Sequence, residues 1–159
     1  MYDEKNHRVR ALPALRLART CYAEAAQTDR NDLVYAASAG YGLGLIQLRS
    51  KNVIEAEKIF KDAVRSFRGC MSVPGVDRAQ ATVGLLKVLN SLGTLYYNRK
   101  KVSEAWNCHS EAAKVFEEAR NAGLVTDRAM SVMAAVYGNM GNEYADFGDY
   151  ASACLYYNA

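Results

Sequence analysis

The side chains in this sequence best suited to metal binding, nucleophilic attack or proton transfer are two histidines, His7 and His109, and four cysteines. Their spacing builds no site. Cys21, Cys70, Cys108 and Cys154 form no CxxC pair, and no histidine stands at ligand spacing from a cysteine pair. Cys108 and His109 are adjacent, and neighbours on a helix point about 100° apart, which is poor geometry for sharing one metal. Three of the cysteines read as small apolar helix residues and Cys70 as a loop residue. Gly40-Tyr41-Gly42-Leu43-Gly44 has the look of a phosphate-cradling loop. It lies inside a helical pattern, without the preceding strand that such a loop requires. There is no nucleophile elbow and no HExxH. No catalytic residue, metal ligand or cofactor is therefore assigned, and the chain is not expected to be an enzyme.

The elements around these residues point to another kind of protein. The 159 residues are one domain's worth, half of them hydrophobic and 23% charged, a globular composition. Pro13 and Pro74 are the two prolines, and Val and Ile never alternate as strands do, so an all-α chain is expected. The net charge of +3 is mild and the bases are scattered, which argues against nucleic acid as a partner. No apolar run approaches the ~18–20 residues of a membrane span. The charged start, Met1 to Arg8, lacks an apolar signal core, and a cytoplasmic setting is the simplest reading.

Residues 1–10 are polar and expected to fray, with residues 11–159 forming the folded region. Helices are expected over about 12–27, with Leu12, Leu15, Ala18, Tyr22, Ala25 and Ala26 on one face and Pro13 in the first turn. The polar run from Thr28 to Asp32 breaks the chain, and Asn31 or Asp32 should cap a helix reaching Arg49. Gly40, Gly42 and Gly44 in that helix suggest close approach of a neighbour. Ile54, Ala56, Ile59, Phe60, Ala63, Val64 and Phe67 give the apolar face of a third helix. Asp77 should start a long helix to about Asn98, and Ser103 one to Ala122 with Trp106 inward and Gly123 past its end. Thr126-Asp127 opens a sixth, and Gly148-Asp149 separates a seventh.

The helix pairs repeat. Gly44, Gly93 and Gly141 each follow a large apolar residue, at spacings of 49 and 48. Each is followed on the next helix by an alanine (Ala56, Ala105, Ala153) and then by Phe60, His109 and Tyr157. Tyr96 and Tyr144 lie three after their glycines, where the first copy has Gln47. This resembles the tetratricopeptide repeat (TPR), lengthened beyond its usual size between one pair and the next. His109 stands where the repeat wants an aromatic, which reads as a packing role. The resemblance covers nearly the whole chain. It implies an all-α, right-handed superhelical array of antiparallel helix pairs, a TPR-like α-solenoid of about seven helices.

The resemblance also implies a concave groove lined by the first helix of each pair. Spacing from the glycines assigns to it Tyr41 and Leu45, then Lys87, Asn90, Thr94 and Tyr97, then Asn139 and Asn142. Amides can donate to and accept from an extended peptide backbone. The expected function is a protein–protein interaction scaffold or adaptor that binds a peptide or helix of a partner. Lys87 is the one base among these positions, which argues against clamping a terminal carboxylate. The alternative is a structural component of a cytoskeletal or multiprotein assembly that uses its convex face or ends. The last helix, with Leu155, Tyr156 and Tyr157, lacks a polar cap. The chain therefore reads as a fragment of a longer array, or as one that self-associates there.

Overall fold

Helix α3, Val53–Met71, shows how the sequence pattern becomes packing. Ala56, Phe60, Ala63, Val64 and Phe67 recur at helical spacing, and all are buried. Ile54, expected on the same face, is 80% exposed because at 100° per residue it falls on the opposite side of the helix, with Lys58, Lys61 and Arg65. The structure is a computed structural model that describes residues 4–25 and 29–159, with side chains from residue 11 onward. It holds seven helices and no strand among these residues. They are α1 (Glu4–Ala25), α2 (Asp32–Arg49), α3, α4 (Arg78–Asn98), α5 (Val102–Asn121), α6 (Asp127–Asp146) and α7 (Tyr150–Tyr157). The all-α expectation holds.

Two compact units divide the chain, Met1–Gly84 and Leu85–Ala159, with the boundary inside α4. In the first, α2 packs against α1 and α3. In the second, α6 packs against α5 and α7. The small residues of the repeat sit where they were expected. A Cβ on Gly44 would stand 2.5 Å from the Phe60 ring, and one on Gly141 would stand 2.5 Å from that of Tyr157. Gly93 receives His109 in the same way. Ala56, Ala105 and Ala153 are buried beside these crossings. Burying a ring such as that of Phe60, which is fully enclosed, stabilises by roughly 1.5–3 kcal/mol. Absence of a Cβ is what lets each ring reach the facing helix. Gly84 receives Phe67 likewise, a contact between α3 and α4 that the repeat pattern did not mark. Gly40 and Gly42 are different. Their neighbours in α1, Arg19 and Leu15, lie at ordinary contact distances of 3.8 and 3.5 Å, so only Gly44 of the three supports a close crossing.

The helix ends follow local chemistry. Asp77 Oδ1 accepts from the Gln80 amide at 3.0 Å, Thr126 Oγ1 from the Ala129 amide at 3.2 Å, and Asp149 Oδ1 from the Ser152 amide at 3.1 Å. Gly123 (φ 68°) and Gly148 (φ 78°) take the left-handed conformation that ends a helix. Several expectations change. α1 begins at Glu4, so residues 4–10 are helical and Pro13 lies inside the helix, not in its first turn. The expected frayed residues 1–3, and Ala26, Gln27 and Thr28, fall outside the described residues. The His7 side chain does too. Asn31 precedes α2 without capping it, and its Oδ1 accepts from the Asp77 amide at 2.7 Å, tying the start of α2 to that of α4. α5 starts at Val102, so Ser103 is within the helix and supplies no cap. Cys70 is in α3 and buried, and burial pushes its thiol pKa up. Cys21 and Cys154 are exposed on helices, Cys108 is buried, and all four are thiols.

Lys51 (φ 64°) and Lys100 (φ 60°) occupy the left-handed region in the α2–α3 and α4–α5 turns, where the α6–α7 turn has Gly148. A side chain there carries a conformational cost that glycine does not. Lys51→Gly and Lys100→Gly are each expected to raise the unfolding free energy by about 0.5–1 kcal/mol. Urea denaturation followed by circular dichroism will show it, and a loss of stability would contradict the assigned turn geometry.

Candidate functional site

The polar residues expected to face a partner lie on α2, α4 and α6, and in the second unit they bond to one another. Asn90, Thr94 and Tyr97 fall on one face of α4 by their spacing. Asn139, Asn142 and Asp146 do the same on α6. Asn139 Nδ2 donates to Asn90 Oδ1 at 2.8 Å and to Thr94 Oγ1 at 3.3 Å. The Thr94 hydroxyl donates back to the Asn90 carbonyl at 2.9 Å, which leaves its oxygen able to accept from Asn139. Towards the C-terminal ends of both helices, the Tyr97 hydroxyl donates to Asp146 Oδ2 at 2.5 Å. Two polar rungs thus join α4 and α6. Asn142 is occupied on its other side, its Oδ1 accepting from the Tyr157 hydroxyl of α7 at 2.7 Å. Lys87 is half-buried on α4.

Asp146 also sets the acidity of Tyr97. A bond to a carboxylate favours the protonated phenol, as do burial and nearby negative charge, and the Tyr97 pKa is pushed up to about 12. The folded value lies above the unfolded one. The stabilisation is therefore fully present below about pH 10 and is lost as pH rises towards about 12. Absorbance titration of tyrosinate is expected to show a phenol titrating near pH 12 that Tyr97→Phe removes. A wild-type curve unchanged by that substitution would contradict the Tyr97–Asp146 bond.

In the first unit, Tyr41 and Leu45 are both half-buried on α2. The Tyr41 ring lies 5.8 Å from that of Phe60, tilted at 41°, so it packs on the α2–α3 crossing. Gln47, which replaces the repeat's tyrosine, is buried, and its Oε1 accepts from Asn52 in the turn at 2.8 Å.

The sequence reading missed a buried polar pair. His109 on α5 and Glu143 on α6 are each 1% exposed, and His109 Nδ1 lies 2.8 Å from Glu143 Oε1. A carboxylate accepts, so Nδ1 carries the proton. The opposite atoms, His109 Nε2 and Glu143 Oε2, are buried without a hydrogen-bond partner among the described residues. The signal for Glu143 was its register. Met133, Val136, Met140 and Glu143 run along one stripe of α6, and all four are buried. Beside the pair, Trp106 meets Tyr144 edge to face at 5.0 Å, and Tyr156 stacks on Tyr144 at 5.3 Å. Trp106 is thus half-buried in an aromatic cluster of α5, α6 and α7.

Among the described residues, no cluster of three or more His, Cys, Asp or Glu could hold a metal. No described helix is long and apolar enough to cross a membrane. No family model and no curated protein matches the chain. Among solved structures, it is similar to BtubC (BKLC) from P. vanneervenii, with a TM-score of 0.69 over 94% of this chain at 15% identity. The chain spans about half of that protein, 54% of its length. At this identity the likeness shows an all-helical fold held in common.

Proposed function

We propose that the protein is a TPR-like scaffold that binds a segment of another protein along the α4–α6 face of the second unit. The observation that carries this reading is the pair of polar rungs, Asn139 with Asn90 and Thr94, and Tyr97 with Asp146. They hold amide and hydroxyl groups at fixed positions on a helix surface, which suits main-chain recognition of an extended peptide. Lys87 adds a positive charge beside the strip, and the half-buried Tyr41 and Leu45 mark the corresponding face of α2.

Peptides selected from a random display library on the purified protein test the reading. Asn90→Ala, Asn142→Ala and Tyr97→Phe are each expected to weaken the selected peptides by about fivefold or more, as loss of a buried hydrogen bond does. Binding that ignores all three substitutions would sink it.

A second reading, a structural part of a larger assembly, rests on the exposed apolar side chains in and around α7. Phe147, Tyr150, Leu155 and Tyr157 are 69%, 70%, 74% and 53% exposed, a grouping of the kind found at contact surfaces. In that case, Leu155→Glu would disrupt assembly in sedimentation experiments while leaving peptide binding intact.

A further inference from the structure

The first unit contains a concavity of about 420 Å³ between α1, α2 and α3. Arg19 of α1 stands on one wall and Ile59, Asp62 and Ser66 of α3 on the other, over a floor of Ala36, Ala37 and Gly40 from α2. Arg19 and Ser66 are exposed, and Ala36 and Ile59 are half-buried, so the concavity opens to solvent. The repeat register shows what it lacks. Ala36, Ala37 and Gly40 lie eight, seven and four residues before Gly44. At the same distances before Gly93 stand Leu85, Leu86 and Leu89, each no more than 1% exposed. The second pair thus fills this register with three leucine side chains of its own. The first pair carries small residues there and keeps a cavity, whose apolar walls forgo the contacts that packing would give them.

Two features narrow the occupant. The polar groups of the α3 wall are already engaged. The Ser66 hydroxyl donates to the Asp62 carbonyl at 3.0 Å, and the Asp62 carboxylate is bonded to Arg65. An extended segment would lay its N–H and C=O groups against a surface with few groups free to meet them, whereas a helix arrives with its backbone paired. Arg19 is the second feature. It has no partner among the described residues. Its Cδ lies 3.8 Å from where a Cβ on Gly40 would stand, so the stem crosses the edge of the floor and the guanidinium is left at the exposed rim. With Asp62 neutralised by Arg65, the rim carries one uncompensated positive charge among the described residues.

We infer that this concavity is a docking site for an amphipathic helix of a partner protein, which lays leucine side chains into the cavity and sets an aspartate or glutamate against Arg19. Leucine is what the chain itself uses at this register in the second pair. The small floor residues let another helix come close, and apolar anchors three and four residues apart are how a helix fills a groove. An acid beside them meets the unpaired guanidinium in a charge-assisted bond. The site lies in the first unit and is independent of the polar strip on α4 and α6.

A display library of helix-forming peptides with randomised surface positions, selected on the full chain, tests this. Enriched peptides are expected to share leucines three and four residues apart with an acid beside them. Ala36→Leu, which restores the second pair's residue at that register, should weaken them about tenfold or more by filling the cavity from its floor. Arg19→Glu should weaken them about tenfold, and a lysine in place of the peptide's acid should recover the loss. Circular dichroism establishes whether Ala36→Leu folds, and if it does not, the exposed Arg19→Glu and its lysine rescue decide. Enrichment of no peptide, enriched peptides without the acid, or binding indifferent to both substitutions would each overturn the inference. Peptides that lose affinity on Tyr97→Phe but not on Ala36→Leu or Arg19→Glu belong to the strip of the second unit, and a selection that yields those alone would overturn it as well.

Discussion

Replacing His109 with phenylalanine is expected to lower the unfolding free energy by about 3–5 kcal/mol, although phenylalanine is the residue the repeat pattern favours there. The ring itself would fit, since Phe60 occupies the matching place against Gly44 in the first unit. The cost comes from Glu143. Its carboxylate is enclosed, and His109 Nδ1 supplies its one described hydrogen bond. Removing that donor leaves a buried charge uncompensated, which is what makes breaking such a pair so costly. A domain of this size has about 5–15 kcal/mol of stability in all. Replacing both partners, His109→Phe with Glu143→Leu, should recover most of the loss, because an apolar pair of similar volume carries no desolvation penalty. Urea denaturation of the wild type, both single variants and the double variant forms a double-mutant cycle. A His109→Phe protein within about 0.5 kcal/mol of the wild type, the usual range for a surface change, would mean that the carboxylate finds other partners and that the pair does not support the second unit.

The pair also shows where reading the sequence stops. The crossings of α2 with α3, α4 with α5 and α6 with α7 were legible because they rest on one local rule. A glycine, then an alanine, then a ring at fixed offsets places small against large whenever two helices fold back on each other. The starts of α4, α6 and α7 were legible for the same reason, since the capping bonds at Asp77, Thr126 and Asp149 each reach an amide only three residues away. Glu143 fails this test. An acid on a helix is ordinarily a solvated residue, and its partner is 34 residues distant on another helix. Asn139 and Asn90 are alike: the sequence marks both as polar and surface-facing, but their mutual bond spans 49 residues and depends on how α4 and α6 pack. Asn31 shows the same limit from the other side. A local capping preference was outweighed by a bond to Asp77, 46 residues away. Local chemistry thus located the helices and their ends, whereas the polar contacts that distinguish this chain from a generic helical repeat arise between helices.

The glycines supply the sharpest contrast in sign. Gly44→Ala is expected to destabilise the protein, and Gly138→Ala to stabilise it, although both sit inside helices. Alanine gains about 1 kcal/mol over glycine in a helix interior through lower backbone entropy in the unfolded chain. At Gly138 nothing lies within 4 Å of the added methyl group, so that gain is the whole effect. A rise of about 0.5–1 kcal/mol should result. At Gly44 the methyl group would stand 2.5 and 2.6 Å from two carbons of the Phe60 ring, and 3.3 Å from Ile59 Cγ2. Phe60 is fully buried, with Tyr41 tilted against it, so the ring cannot swing into solvent. Overpacking of a closed core costs about 1–3 kcal/mol, and two rigid carbons at that distance place Gly44 at the upper end. Against the propensity gain of about 1 kcal/mol, a net loss of about 2 kcal/mol is expected. Thermal and urea unfolding of the two variants, measured side by side, decide the matter. If Gly44→Ala were as stable as Gly138→Ala, the α2–α3 crossing would be looser than the structure has it. The glycine spacing that first suggested a repeat would then reflect no packing constraint.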